Sequence, residues 1–201
     1  MQTPFQLYDY FHISIIQDNI ENVAENLGTL LSGMSLTKKE IANVDFKKVC
    51  PTKTLPYNPS KIKFIIFEPS TNLGVTVFFS NFLDGWYTAV YNYVWLNNKS
   101  AFHLGFTADD SIEHPAYFFT FFYLDKGQIN ERTVHAIKED KWVFCNSDKP
   151  MPIEDTGNYL KKRIKDRINN EINIGYLKKA GYDLRDSNFF KSKRNTILFS
   201  N

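Results

Sequence analysis

Cysteine is scarce: Cys50 and Cys145 are the two in 201 residues. Two thiols cannot staple a scaffold of this length, and neither has a Cys or His close by in sequence. Reduced, partly buried thiols are expected. Nine glycines and eight prolines are too few for a collagen-like or linker protein. Long apolar runs are missing as well. Phe118-Phe119 and Phe121-Phe122-Tyr123 are broken by Thr120, far short of the roughly 20 residues a spanning helix needs. No Lys or Arg precedes Lys38, so the start does not read as a secretory signal. The expected location is the cytoplasm, with no membrane partner. Catalytic signatures are missing in turn: there is no GxSxG, GxxxxGK[ST] or GxGxxG. None of the histidines His12, His103, His114 and His135 stands four residues from another or in a His-Cys or HExxH frame. No metal, no cofactor and no enzymatic activity are expected.

What the chain does have is apolar and aromatic mass. Hydrophobic residues make up 43% and the net charge is +2, which together exclude an intrinsically disordered chain. The small net charge is a cancellation. Residues 1–37 hold Asp9, Asp18, Glu21 and Glu25 and no base, whereas residues 155–201 hold eleven basic groups against five acidic ones. A basic end can meet nucleic acid or an acidic partner. The plainer reading is that these Lys and Arg form the solvated faces of two helices.

Periodicity sets out the elements. Residues 7–16 are β-branched and aromatic and predict a strand. Asp18 then reads as an N-cap, with Ile20, Val23, Ala24, Leu27, Leu30 and Leu31 on one helical face and Gly33 as the stop. Residues 35–40 suggest a short helical turn. The prolines at 51, 56 and 59 mark a loop. Residues 61–67 and 74–80 predict a hairpin, followed by a helix, or less simply a strand, that Asp84 opens. Strands are expected at about 101–106, 116–124, 129–138 and 141–145, in antiparallel succession. Leu160, Ile164 and Ile168 then suggest one helix, Asn169 starts another, and Gly181 closes it. The tail 185–201 is too apolar to hang free and should dock or add a strand. The fold class is α+β: a mostly antiparallel sheet of six to seven strands packed against several helices. It forms a single domain over 1–201, with a sheet-containing part to 150 and a basic helical part from 151 to 201.

One polar cluster stands out, Asp109-Asp110-Ser111-Ile112-Glu113-His114. Carboxylates beside a histidine can hold a cation, act as acid and base, or meet a basic partner. The spacing lacks the Gly and Glu of an EF-hand loop, and a solubilising loop is the plain alternative. His12, His103 and His135 lie in predicted strands and are expected to be packing or surface residues.

A wider pattern runs through residues 81–181. It comprises Asp84-Gly85-Trp86, Arg132-Thr133-Val134, Lys141-Trp142-Val143-Phe144 and Pro152-Ile153-Glu154. It continues through Tyr159, Arg163 and Asp166-Arg167-Ile168 to Tyr176-Leu177 and Gly181. This half of the chain resembles uncharacterised bacterial immunity-type proteins of polymorphic and contact-dependent inhibition toxin systems. The first 80 residues lie outside it, and its landmarks are Trp, Arg and Gly rather than catalytic groups. The resemblance implies a cytoplasmic antidote that binds a cognate toxin domain and has no activity of its own. In physical terms Trp86 and Trp142 suit a sheet–helix core. Glu154 is placed to pair with Arg163 or Arg167, or to favour a helix N-terminus. Arg167 could reach back to Asp84 or Glu154 as a buried anchor.

For a basic toxin such as a nuclease, the partner surface expected first is Asp109, Asp110 and Glu113, and second Asp18, Glu21 and Glu25. Two alternatives stand beside it. One is a nucleic-acid-associated protein using Lys161, Lys162, Arg163, Lys165, Lys178 and Lys179. The other is a small hydrolase built on Asp109, Asp110 and His114.

Overall fold

The computed structural model describes residues 2–108 and 112–201. Asp109 and Asp110 of the acidic cluster therefore lie outside the described residues. The chain runs through a short helix α1 (Pro4–Leu7), β1 (Tyr10–Ile16), α2 (Ile20–Leu30), β2 (Thr37–Ile41) and α3 (Phe46–Val49). It continues with β3 (Lys63–Phe67), β4 (Thr76–Ser80), α4 (Tyr87–Asn97), β5 (Ala101–Thr107) and β6 (Ala116–Asp125). Then come β7 (Gln128–Lys138), β8 (Trp142–Ser147), α5 (Asn170–Lys179) and β9 (Thr196–Ser200).

The nine strands form one antiparallel sheet in the order β2-β9-β3-β4-β1-β5-β6-β7-β8. Its middle explains why the strands read as unbroken hydrophobic runs: both faces are covered. Phe11, Ile13 and Ile15 of β1, with Phe102, Leu104 and Phe106 of β5, face a layer containing α3, α5 and Phe190. The alternate residues Ile16, Phe64, Ile66, Phe78 and Phe122 face α2 and α4. Val23 and Leu27 of α2 and Val90, Tyr93 and Val94 of α4 close that second core. No helix among the described residues is long and apolar enough to cross a membrane.

Among the described residues nine strands stand where six or seven are expected. The first extra strand is β9, the apolar tail, which inserts between β2 and β3, for example Ile65↔Leu198. The second is β2, where a helical turn was expected; it pairs with β9 from Thr37↔Ser200 to Ile41↔Thr196. Its partner lies some 160 residues away, so local propensity could not show it.

The expected helix through Leu160, Ile164 and Ile168 is also corrected. Two 3-10 turns stand there, at Thr156–Leu160 and Ile164–Asp166. Extended backbone at Lys161 and Arg163 separates them. The break lets Tyr159 and Ile168 both reach the core while Leu160 is left 86% exposed. The part from 151 to 201 thus holds one α-helix, short turns and a strand. Helix α5 keeps its expected cap, since the Asn169 side chain accepts from Ile172 N.

Asp18 does not cap α2. Asn19 does, accepting from Asn22 N at 2.9 Å. Trp86, at positive φ, occupies the N-cap position of α4, and Asp84 Oδ1 accepts from its backbone N–H at 3.0 Å. Trp86 is buried and stacks on Phe82 at 4.8 Å. Trp142 is half-buried and stacks on Tyr117 at 6.0 Å.

The partner of Glu154 is neither Arg163 nor Arg167. It is Arg132 of β7, which donates from Nε to Oε1 at 2.8 Å and from Nη2 to Oε2 at 2.5 Å. Tyr159 donates to the same carboxylate. Arg163 pairs with Asp166 at 2.7 Å, and Arg167 donates to the Lys161 carbonyl while lying over the Phe144 ring. Strand β7 carries Arg132 into the core at a point the reading of nearby sequence could not reach.

Candidate functional site

Helices α2 and α4 cover the centre of one sheet face and leave a hollow on either side. The first is a groove of about 940 Å³ between α2 and the strands β2 and β9. Its floor is apolar, from Ile20, Ala24, Leu36, Ile197 and Phe199. Glu21 and Glu25 project from α2 as one wall, and Lys38, Glu40 and Arg194 stand on the other. Arg194 pairs with Glu21 and, at 3.1 Å, with the buried Glu68. Strand β2 ends the sheet on this side, and four of its five residues are exposed.

Of the acidic residues expected to meet a partner, Glu21 and Glu25 therefore share a hollow, and Asp18 does not join them. Asp18 is 6% exposed. Tyr93 donates to its Oδ2 at 2.9 Å, Asn22 to its Oδ1 at 3.0 Å, and Lys99 pairs with it at 3.3 Å. Burial opposes its ionisation, but these donors and the Lys99 charge outweigh burial and hold its carboxyl below the usual range. Asp18 ties α2 to α4 instead of facing solvent. Glu113 is exposed, 3.7 Å from His114. Among the basic residues, Arg163 faces Asp166, Lys178 faces Asp183 at 2.8 Å, and Arg185 faces Glu171.

The second hollow is a cavity of about 470 Å³ over β1, β5, β6 and β7. Side-chain alternation explains its polarity. The strand positions that face apolar helix surface farther along the sheet here carry His12, His103, Thr120, Glu131, Thr133 and His135. Leu83, Asp84, Tyr87 and Tyr57 complete the wall. The His12 and His103 rings stack 4.9 Å apart at 15°. His12 donates from Nδ1 to the Leu83 carbonyl at 2.9 Å, which leaves Nε2 to accept from the Tyr10 hydroxyl at 3.3 Å. Ser14 Oγ lies 2.8 Å from His103 Nδ1.

Two glycines make room for this pair. A Cβ on Gly105 would sit 2.5 Å from His12 Nε2, and one on Gly85 would sit 2.4 Å from His12 Cβ. Gly85 also takes a φ of +65° that suits glycine. Burial pushes His12 down to about 4, against the opposing pull of the Leu83 carbonyl and the Asp84 charge. Burial, then the neighbouring His12, hold His103 well below the ordinary imidazole range. Both rings are neutral at pH 7.

Glu131 accepts from the Tyr87 hydroxyl and from Thr133 Oγ1, and Thr133 Oγ1 lies 3.0 Å from Thr120 Oγ1. Burial first, then the hydrogen bond and charge of Glu131, push the Tyr87 phenol upward. The cavity thus brings carboxylates and neutral imidazoles together with aromatic side chains, and the Tyr10 and Tyr87 hydroxyl protons are already given to His12 and Glu131. Ser14 stands next to a base, yet it is fully buried between β4 and β5 and holds the His103 ring rather than meeting a solute. Among the described residues no group of three or more His, Cys, Asp or Glu is arranged to hold a metal ion.

In the sequence His12, His103 and His135 stand apart and share no motif. The signal that could have joined them was their strand parity, together with a Gly in the same β5 segment. No protein-family model, curated protein or solved structure matches this chain.

Proposed function

We propose that this chain is a cytoplasmic immunity protein, an antidote that binds one toxin domain and covers its active site. The resemblance through residues 81–181 supplies the class. The observation that supports a protein partner is the groove along α2, which sets an apolar floor beside exposed Glu21 and Glu25 and an open edge strand. An exposed edge can accept a partner strand by main-chain pairing, with neighbouring pockets supplying selectivity. A nuclease domain is basic where it holds phosphate, and carboxylates there would complement it. Complementary charge chiefly speeds association. A stable pair of this kind buries about 1,600 Å² in all, more than the groove alone, so flanking loops would share the contact. Glu113, exposed on the loop between β5 and β6, does not line the groove.

Nucleic acid is the second reading; of the cations named for it, Arg163 and Lys178 already face Asp166 and Asp183.

The test is co-purification with any toxin-like C-terminal domain that the upstream reading frame encodes, followed by stopped-flow association. The charge reversal Glu21→Lys with Glu25→Lys should slow association at low salt by about tenfold or more, and much less at high salt. An unchanged on-rate would remove the α2 wall from the interface. Absence of any complex would remove the antidote reading itself.

A further inference from the structure

The cavity over β1, β5, β6 and β7 holds two carboxylates, Glu131 and Asp84, and among the described residues no Lys or Arg lines it. Among the described residues neither carboxylate enters an ion pair. Glu131 already accepts from Tyr87 and Thr133. A carboxylate has about four acceptor positions, so capacity remains. The stacked imidazoles beside it are neutral and do not offset the charge.

The other walls carry aromatic rings, from Tyr10, Tyr87, Phe118 and the largely exposed Tyr57. The face of such a ring attracts cations. The volume of about 470 Å³ lies within the roughly 300–1,000 Å³ of small-molecule sites. It suits a whole small molecule better than the tip of one side chain.

We propose that this cavity binds a free small organic cation. Its ammonium or amidinium head would lie beside Glu131 and its apolar body against Phe118 and the tyrosine rings. The site is separate from the α2 groove, so the inference stands or falls independently of the toxin reading.

The test titrates the full-length protein with benzamidine and with phenethylamine, using benzyl alcohol as the uncharged counterpart. Binding is followed through the amide signals of Thr120 and Thr133 and the ring signals of His135. Both cations should give saturable shifts at these residues, with affinity at least about tenfold above that of benzyl alcohol. Glu131→Gln should weaken the cations by about tenfold and leave benzyl alcohol unchanged. If that variant fails to fold, the comparison of charged and uncharged probes on the unaltered protein decides alone. Equal affinity for all three probes, or no saturable shift, would overturn the inference.

Discussion

Arg132 and Glu154 have side chains only 1% and 0% exposed, and they satisfy one another through two hydrogen bonds. Burial works against the ionised Glu154, and the donors Arg132, Met151 N and Tyr159 overcome it, so its carboxyl sits below the usual range. Removing one member leaves the other charge buried without a counter-ion. Glu154→Gln should therefore cost about 3–5 kcal/mol in urea unfolding, and Arg132→Met with Glu154→Leu should recover much of that loss. A cost under about 1 kcal/mol for the single change would contradict the buried pair. Sequence reading picked out Glu154 as an anchor but looked for its partner downstream, at Arg163 and Arg167. The carboxylate's need for a donor is local chemistry. Which guanidinium supplies it depends on where β7 passes.

At the scale of elements, antiparallel neighbours were the most legible part. The β3–β4 and β6–β7 pairs fall where alternation and turn residues placed them, with Leu124↔Ile129 next to the second turn. Segment 156–168 was legible in its apolar residues but not in its geometry. Leu160, Ile164 and Ile168 fit one helical stripe, yet two 3-10 turns separated by extended residues turn Leu160 to solvent. Two substitutions tell these geometries apart. Leu160→Ala should change stability by less than about 0.5 kcal/mol. Ile168→Ala, at a site 0% exposed, should cost about 2–5 kcal/mol. Similar costs at both sites in thermal or urea unfolding would restore the single helix.

For the whole molecule, the buried imidazoles make stability depend on pH. His12 is held at about 4 against an ordinary 6.5. Between those values the unfolded chain binds the proton and the folded chain does not, so stability falls as pH falls through that window. His103 is shifted the same way. His12 alone should remove about 3 kcal/mol by pH 4. The loss between pH 6.5 and 5 is diagnostic, because the carboxylates held low in the fold, Asp18 and Glu154, titrate below it. Urea midpoints measured from pH 7 to 4 should drop across the upper range, and the drop should shrink in His12→Gln. A flat profile above pH 5 would mean that the histidines are solvated.

The sequence by itself determined that this chain is α+β, that its strands mostly pair with their neighbours, and that Ile20, Val23, Ala24 and Leu27 share the apolar face of one helix. These follow from period, turn chemistry and local polarity, all written within a few residues. Only the tertiary structure decided that the tail enters the sheet beside β3, that Arg132 meets Glu154, and that three strand histidines share one cavity with Glu131. Each of those joins residues far apart in the chain, and what selects them is the burial of apolar faces and the pairing of buried charge across the whole sheet.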